Sequence, residues 1–289
     1  MSRIAYVNGR YLPHREASVH IEDRGFQFAD GVYEVIAVKD GSFVDEAPHL
    51  ARLHRSLGEM RMPAPMSDAA LKSVMRETVR RNRVKDGILY LQVTRGSAPR
   101  DFAFPKGAKP SLVMTARAQK PLDPRIFTEG VAVVTLPDIR WARPDIKSVA
   151  LLPNALAKQR AKEAGAYEAW QVDRDGNVTE GTSSNAWIVT AKDEIVTRKA
   201  DNAILNGVTR QMLLKLTAEA GLKMIERPFS VAEAKDAREA FLTSTTNFVV
   251  PIVRIDEAKV GEGRPGPLAL RLRALYAAHA ASDAAGNAP

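Results

Sequence analysis

Alternating apolar positions and an Asn8-Gly9 pair in IAYVNGRYL predict a hairpin at the start of the chain, and VYEVIAVKDGSFV continues the β pattern. Helical spacing follows. Leu50, Leu53, Leu57 and Met60 share one side of HLARLHRSLGEM (49–60), and Ser67 stands where it would cap the next helix, whose apolar positions are Leu71, Val74, Met75 and Val79. Strands GILYLQVTRG and SLVMTARA close this half. At AQKPLDPRI (118–126) two prolines and a polar cluster break the pattern, which predicts a linker and two domains, 1–119 and 120–289.

The second half opens with strand EGVAVVTL. A helix is predicted over 154–165, with Leu152, Ala155, Leu156 and Ala161 as its buried stripe and Lys158 and Lys162, one turn apart, facing water. Strands EAWQVD, NVTEG and NAWIVT come next, with Asp175-Gly176 in the first turn. A helix in NGVTRQMLLKLTAEAG stops at Gly221, and Ser230 with Glu233 forms a capping-box pattern for a short helix. AFLTSTTNFVVPIVRI reads as strand, polar turn and strand, and PLALRLRALYAAHAA is the last helix, with a frayed tail, SDAAGNAP. The order of elements is α+β in two halves, without regular βαβ alternation.

Composition narrows the class. With 289 residues, 45% of them hydrophobic, the chain can bury a real core. No apolar run approaches the roughly 20 residues of a membrane helix, and the first residues lack a signal-peptide pattern, so a cytoplasmic protein is expected. There is no cysteine, and the five histidines show no zinc-ligand spacing, so no metal is expected. The net charge of +8 raises nucleic acid as a partner. Its visible cluster, RETVRRNRVK, lies on the amphipathic helix after Ser67 and reads as a solvated face, and no aromatic stacking platform accompanies it. Neither a nucleic-acid nor a membrane partner is expected; small anionic ligands suit the charge equally well.

Several short stretches hold candidate chemistry. Lys147 follows Pro144 and Asp145 and precedes the apolar run VALLP, which suggests a short buried segment. NGVTRQ (206–211) sets a glycine before a helix start, where unpaired N–H groups and Thr209 could hold an anion; taken alone it is a helix cap. STTN (244–247) and EGTSSN (180–185) read by themselves as polar turns. Gly261, Gly263 and Gly266 satisfy GxGxxG, but prolines interrupt the turn and no second parallel strand follows. One cofactor would use an anion cradle, a carboxylate and a lysine amine together: pyridoxal 5'-phosphate.

The chain resembles the fold-type IV pyridoxal phosphate enzymes, and within them the D-amino acid aminotransferases. FADGVYEV, HLARL, QVTRGSAPRDFAFP, DIKSVALLPNALAKQ, EGTSSN, ILNGVTR and STTN recur in family order over nearly the whole length. The resemblance implies a two-domain α+β enzyme with the cofactor between domains, its lysine in the C-terminal one, assembled as a homodimer. It implies that Lys147 binds the cofactor aldehyde and then shuttles the substrate proton, and that Glu180 partners the pyridine nitrogen. Arg52, Val208, Thr209, Thr245 and Thr246 would hold the phosphate, and Leu205 would pack on the ring. Tyr33 and Arg100 match two of the family's three carboxylate-binding residues. Phe102 stands where the third, a histidine, is usual; a lost donor to a carboxylate costs about 1.5–3 kcal/mol unless replaced. The implied reaction moves an amino group between D-amino acids, such as D-alanine or D-glutamate, and a 2-oxo acid such as 2-oxoglutarate. The alternatives within the same fold are a branched-chain L-amino acid aminotransferase, an (R)-amine transaminase and aminodeoxychorismate lyase.

Overall fold

Asn8 and Gly9, with φ of 46° and 93°, supply the left-handed pair that a two-residue hairpin turn requires, and they join β1 (Ile4–Val7) to β2 (Arg10–Pro13) as predicted. The structure is a computed structural model and describes residues 3–286. A one-turn helix, α1 (Arg24–Phe28), leads into β3 (Gly31–Lys39), which folds back at Asp40-Gly41 on the two-residue β4 (Ser42–Phe43). Helices α2 (Glu46–Glu59) and α3 (Asp68–Asn82) precede β5 (Gly87–Thr94) and β6 (Ser111–Ala118). The six strands form an antiparallel sheet in the order β2-β1-β6-β5-β3-β4.

Leu50, Leu53 and Leu57 of α2 and Leu71, Met75 and Val79 of α3 join Ile36, Val38, Leu89 and Leu91 of the strands in one core. Each such side chain stabilises the fold by about 1.5–3 kcal/mol. Ser67 caps α3 as expected, accepting from Ala70 N at 3.4 Å. Helix α2 starts at Glu46, three residues before its predicted start. Pro48 reads as a breaker, yet it falls in the first turn, where its missing N–H has no helical partner to lose.

The second set begins with α4 (Arg125–Thr128), β7 (Val131–Pro137), α5 (Leu152–Glu163), β8 (Glu168–Val172), β9 (Val178–Gly181), β10 (Asn185–Val189) and β11 (Ile195–Thr197). It continues with α6 (Val208–Glu219), β12 (Met224–Glu226), α7 (Val231–Lys235), β13 (Glu239–Ser244), β14 (Phe248–Ile255), β15 (Ala258–Lys259) and α8 (Pro267–Gly286). The sheet runs β12-β11-β10-β13-β14-β7-β8-β9, with β15 on β14, and mixes parallel with antiparallel pairs. Ser230 accepts from Glu233 N at 3.1 Å and so caps α7. Gly266 admits the Glu239 carboxylate, which caps α8 by accepting from Leu268 N at 3.1 Å and Ala269 N at 2.8 Å; close packing accounts for this glycine of the GxGxxG match.

Two expectations about helices are corrected. On α5 the buried residues are Ala157 and Ala161, packed with Ala169, while Leu152 and Leu156 are 70% and 51% exposed. The small alanines allow α5 to lie close on β7 and β8, which it connects as a parallel crossover. Helix α8 runs to Gly286 and takes in much of the tail expected to fray; the tail residues 287–289 lie outside the described residues. No helix among the described residues is long and apolar enough to cross a membrane.

The chain divides into two compact units. The first takes in the chain up to Lys120, Ile146–Ala150 and the stretch from Ala280; the second takes in Pro121–Asp145 and Leu151–His279. The Lys147 segment thus groups with the first unit, although the sequence suggested the C-terminal half. The reason is an open strand edge. β4 covers only Val38 and Lys39 of β3, so residues 147–149 bond to its other end: Tyr33 N donates to Lys147 O at 3.0 Å and Val149 N to Gly31 O at 3.0 Å. Ile146 is buried in the first unit's core.

Candidate active site

In the first unit, Lys147 is half-buried between two buried neighbours, Ile146 and Ser148. Its backbone N–H reaches Ser56 Oγ of α2 at 3.3 Å, and Nζ lies 4.2 Å from the centroid of the Tyr33 ring. Tyr33 stacks on Tyr90 at 5.7 Å, and burial together with Tyr33 pushes the Tyr90 hydroxyl up to about 12. Lys147 and Tyr33 are therefore adjacent.

Strand alternation puts Val32, Glu34, Ile36 and Val38 in one row, and all four are buried. Glu34 is a charge in the core. It is held by α2, where Arg52 Nε and Nη2 each lie 2.8 Å from a carboxylate oxygen and His49 Nδ1 lies 2.8 Å from Oε2. Burial raises the Glu34 carboxyl, but the Arg52 charge and hydrogen bonds, with His49, bring it down to about 2. Arg52, expected at a phosphate, is engaged in this buried ion pair. Neither Glu34 nor His49 was singled out beforehand; a glutamate in an otherwise apolar strand row, 18 residues from an arginine on a helix, was the available signal.

Arg100 and Phe102 lie on the loop between β5 and β6 and are exposed, Phe102 to 83%. Their partner is aromatic: the Phe28 ring of α1 lies 5.5 Å from that of Phe102 and 4.6 Å from the Arg100 guanidinium.

In the second unit, Glu180 is the penultimate residue of β9, buried to 5% exposure. Its Oε1 accepts from Arg140 Nη1 and from Leu205 N at 3.1 Å, and its Oε2 from Asn185 Nδ2 at 3.0 Å. Arg140 is itself anchored by Asp138, with Nε 2.9 Å from Oδ1 and Nη2 2.6 Å from Oδ2. Burial raises the Glu180 carboxyl against the pull of Arg140 and the Leu205 N–H. Burial lowers the Arg140 guanidinium, but Glu180 and Asp138 outweigh it and hold it above its ordinary value.

Asn185 joins this carboxylate to the start of α6. Its Nδ2 also donates to Leu205 O at 2.9 Å, and a Cβ on Gly207 would lie 2.2 Å from its Oδ1. Gly207 is the N-cap of α6 and supplies no capping side chain, so the first-turn N–H groups beside the buried Val208 and Thr209 are left to another acceptor. Asn185 pairs with Thr243 across β10 and β13, and the half-buried Thr245 and Thr246 follow in the turn to β14. Of the residues expected at the site, the structure joins Glu180, Leu205 and the α6 start through Asn185. Arg140 and Asn185 were not identified in advance, although Asn185 closes the EGTSSN stretch and Arg140 sits two residues after an aspartate at a strand end.

The second unit by itself offers donors that fit a phosphorylated pyridine: the α6 terminus with Thr209 suits a phosphate and the anchored Glu180 carboxyl suits a ring nitrogen. The first unit by itself offers an amine, Lys147.

The family model for amino-transferase class IV matches residues 31–255. The chain is 45% identical over 262 residues to the D-alanine aminotransferase of Bacillus licheniformis, covering 90% of this chain and 91% of that one. It is 39% identical over 273 residues to the D-alanine aminotransferase of Listeria innocua serovar 6a, covering 93% of each. The branched-chain amino acid aminotransferase structure from Escherichia coli shares the fold, with a TM-score of 0.90, 23% identity, and coverage of 96% of this chain and 94% of that one. The chain belongs to the amino-transferase class IV family.

Proposed function

We propose that this protein is a pyridoxal 5'-phosphate-dependent transaminase that moves the amino group of a D-amino acid, such as D-alanine or D-glutamate, to a 2-oxo acid such as 2-oxoglutarate. The observation that carries the reading is Glu180, a buried carboxyl held by Arg140, Asn185 and the Leu205 N–H. The likeness to two D-alanine aminotransferases supports the D-amino acid as donor.

The bound cofactor supplies an electron sink for the α-carbon of the substrate. Lys147 Nζ would hold the cofactor at rest and, once substrate has displaced it, would carry the proton from the substrate α-carbon to the cofactor. Glu180 keeps the pyridine nitrogen protonated, with Arg140 and Asn185 fixing the carboxylate's position. The phosphate would be held by the N–H groups of Val208 and Thr209, the Thr209 hydroxyl, Thr245 and Thr246, with Arg52, anchored by Glu34, completing the set. Leu205 packs on the ring. Tyr33 and Arg100 bind the substrate carboxylate, with Phe102 offering an apolar surface where the family has a histidine. The protein acts in the cytoplasm as a homodimer.

The test is donor choice. D-alanine and L-leucine are each given to the cofactor-loaded enzyme, and loss of the cofactor's visible absorbance is followed, with amino-acid product assayed when 2-oxoglutarate is present. Conversion of D-alanine is expected; conversion of L-leucine alone contradicts the assignment.

A further inference from the structure

The loop carrying Arg100 and Phe102 is tied down by one buried arginine of α1. Its first part is held by backbone: Arg24 N donates to Gly96 O at 2.9 Å, Ala98 N donates to Glu22 O at 3.3 Å, and Asp23 bridges to Ser97. Beyond Pro99 the Arg24 side chain takes over. Nη1 donates to Asp101 O at 2.6 Å and Nη2 to Phe102 O at 3.4 Å, while Nε is fixed by Asp30 Oδ2 at 2.8 Å. Asp30 is held in turn by Arg95 Nε at 2.7 Å, whose remaining nitrogens donate to Met60 O and Arg61 O. Arg24, Asp30 and Arg95 are only 3%, 6% and 6% exposed.

A guanidinium withdrawn from water is tolerated when its planar fork is fully used, and here each nitrogen has a partner. Two of those partners are the carbonyls that follow Arg100 directly. The Phe28 ring adds a side-chain link, with the Arg24 and Arg100 guanidinium carbons each 4.6 Å from its centroid.

We infer that Arg24 is a positioning residue for substrate recognition: it locks the backbone after Arg100 and thereby aims the Arg100 guanidinium at the substrate carboxylate. The inference rests on the proposed role of Arg100. Lysine cannot replace Arg24 fully, because a single ammonium cannot serve Asp30 and two carbonyls in one plane.

Steady-state kinetics with D-alanine, at saturating 2-oxoglutarate, tests this in Arg24→Gln, Arg24→Lys, Arg100→Ala and Arg24→Gln/Arg100→Ala, each checked for folding by circular dichroism. Arg24→Gln is expected to raise KM for D-alanine roughly tenfold through misplacement of Arg100, with kcat within about threefold of the parent. Arg24→Lys should show a smaller rise, and it carries the same comparison if the glutamine variant does not fold. In the Arg100→Ala background, adding Arg24→Gln should change KM by less than about twofold, because the two act as a unit. A parental KM in the Arg24 variants beside a raised one in Arg100→Ala overturns the inference and leaves the Arg100 assignment standing, as does an equal effect in both backgrounds. A parental KM in Arg100→Ala overturns that assignment and the inference with it.

Discussion

Glu34 and Arg52 meet as a buried two-pronged ion pair, with Nε 2.8 Å from Oε1 and Nη2 2.8 Å from Oε2. The pair ties β3 to α2 inside the first unit's core, where an unpaired charge would be costly. Arg52→Met should therefore destabilise the protein by about 3–5 kcal/mol. Glu34→Met/Arg52→Met should recover much of that loss in thermal melts of the cofactor-free protein. Because Arg52 is also assigned to the phosphate, the double variant should regain stability and still bind pyridoxal phosphate weakly, as a fluorescence titration would record.

Acid should undo the same cluster in two stages. Burial lowers the His49 ring below its ordinary 6.5 despite Glu34, so its contribution is full above pH 6.5 and erodes as pH falls through that value. Burial raises Glu34, but Arg52 brings it from 4.5 to about 2, so its stabilisation is full above 4.5 and drains as pH falls toward 2. That second stage corresponds to about 3 kcal/mol. Urea denaturation at a series of pH values should show stability falling below 6.5 and more steeply below 4.5, and Glu34→Gln should flatten the lower limb.

Much of this fold follows from local pattern. The faces of α2 and α3 were legible because leucine, methionine and valine recur at helical spacing and that stripe is what the core buries. Helix α5 was misread because its close approach is made by alanines, which carry little hydrophobic signal, while its leucines lie outside. The location of Lys147 was beyond local reading. It depends on a strand edge left open by a two-residue neighbour more than a hundred residues earlier in the chain. The proposed site residues came from resemblance, and the supports Arg140 and Arg24 depend on contacts far along the chain, Arg140 with Glu180 and Arg24 with the carbonyls of Asp101 and Phe102.

The start of α6 should be intolerant of a methyl group. Gly207 has an ordinary φ of −58°, so Gly207→Ala meets no backbone strain, only Asn185 Oδ1 at 2.2 Å. Gly207→Ala should weaken cofactor affinity by roughly tenfold, equivalent to the loss of about one hydrogen bond. Gly207→Ala/Asn185→Ala should relieve the clash yet leave Glu180 without one donor, so equilibrium titration should find affinity only partly restored.

Glu180→Gln keeps the size of the side chain and removes its charge. Arg140 then loses one of its two carboxylate partners, and on the proposed assignment the ring nitrogen would lose its anion. The expected result is a folded protein that binds pyridoxal phosphate while kcat for D-alanine falls roughly 100-fold, the scale of a lost acid–base or electrostatic partner. Unchanged kcat would place the nitrogen's partner elsewhere.

The most direct test concerns Lys147. Borohydride reduction of the cofactor-loaded protein, followed by proteolysis and mass spectrometry, should find the phosphopyridoxyl group on the peptide containing Lys147, and Lys147→Ala should lose both that label and turnover. A label on another lysine, or a Lys147→Ala protein that transaminates D-alanine at the parental rate, would contradict the account.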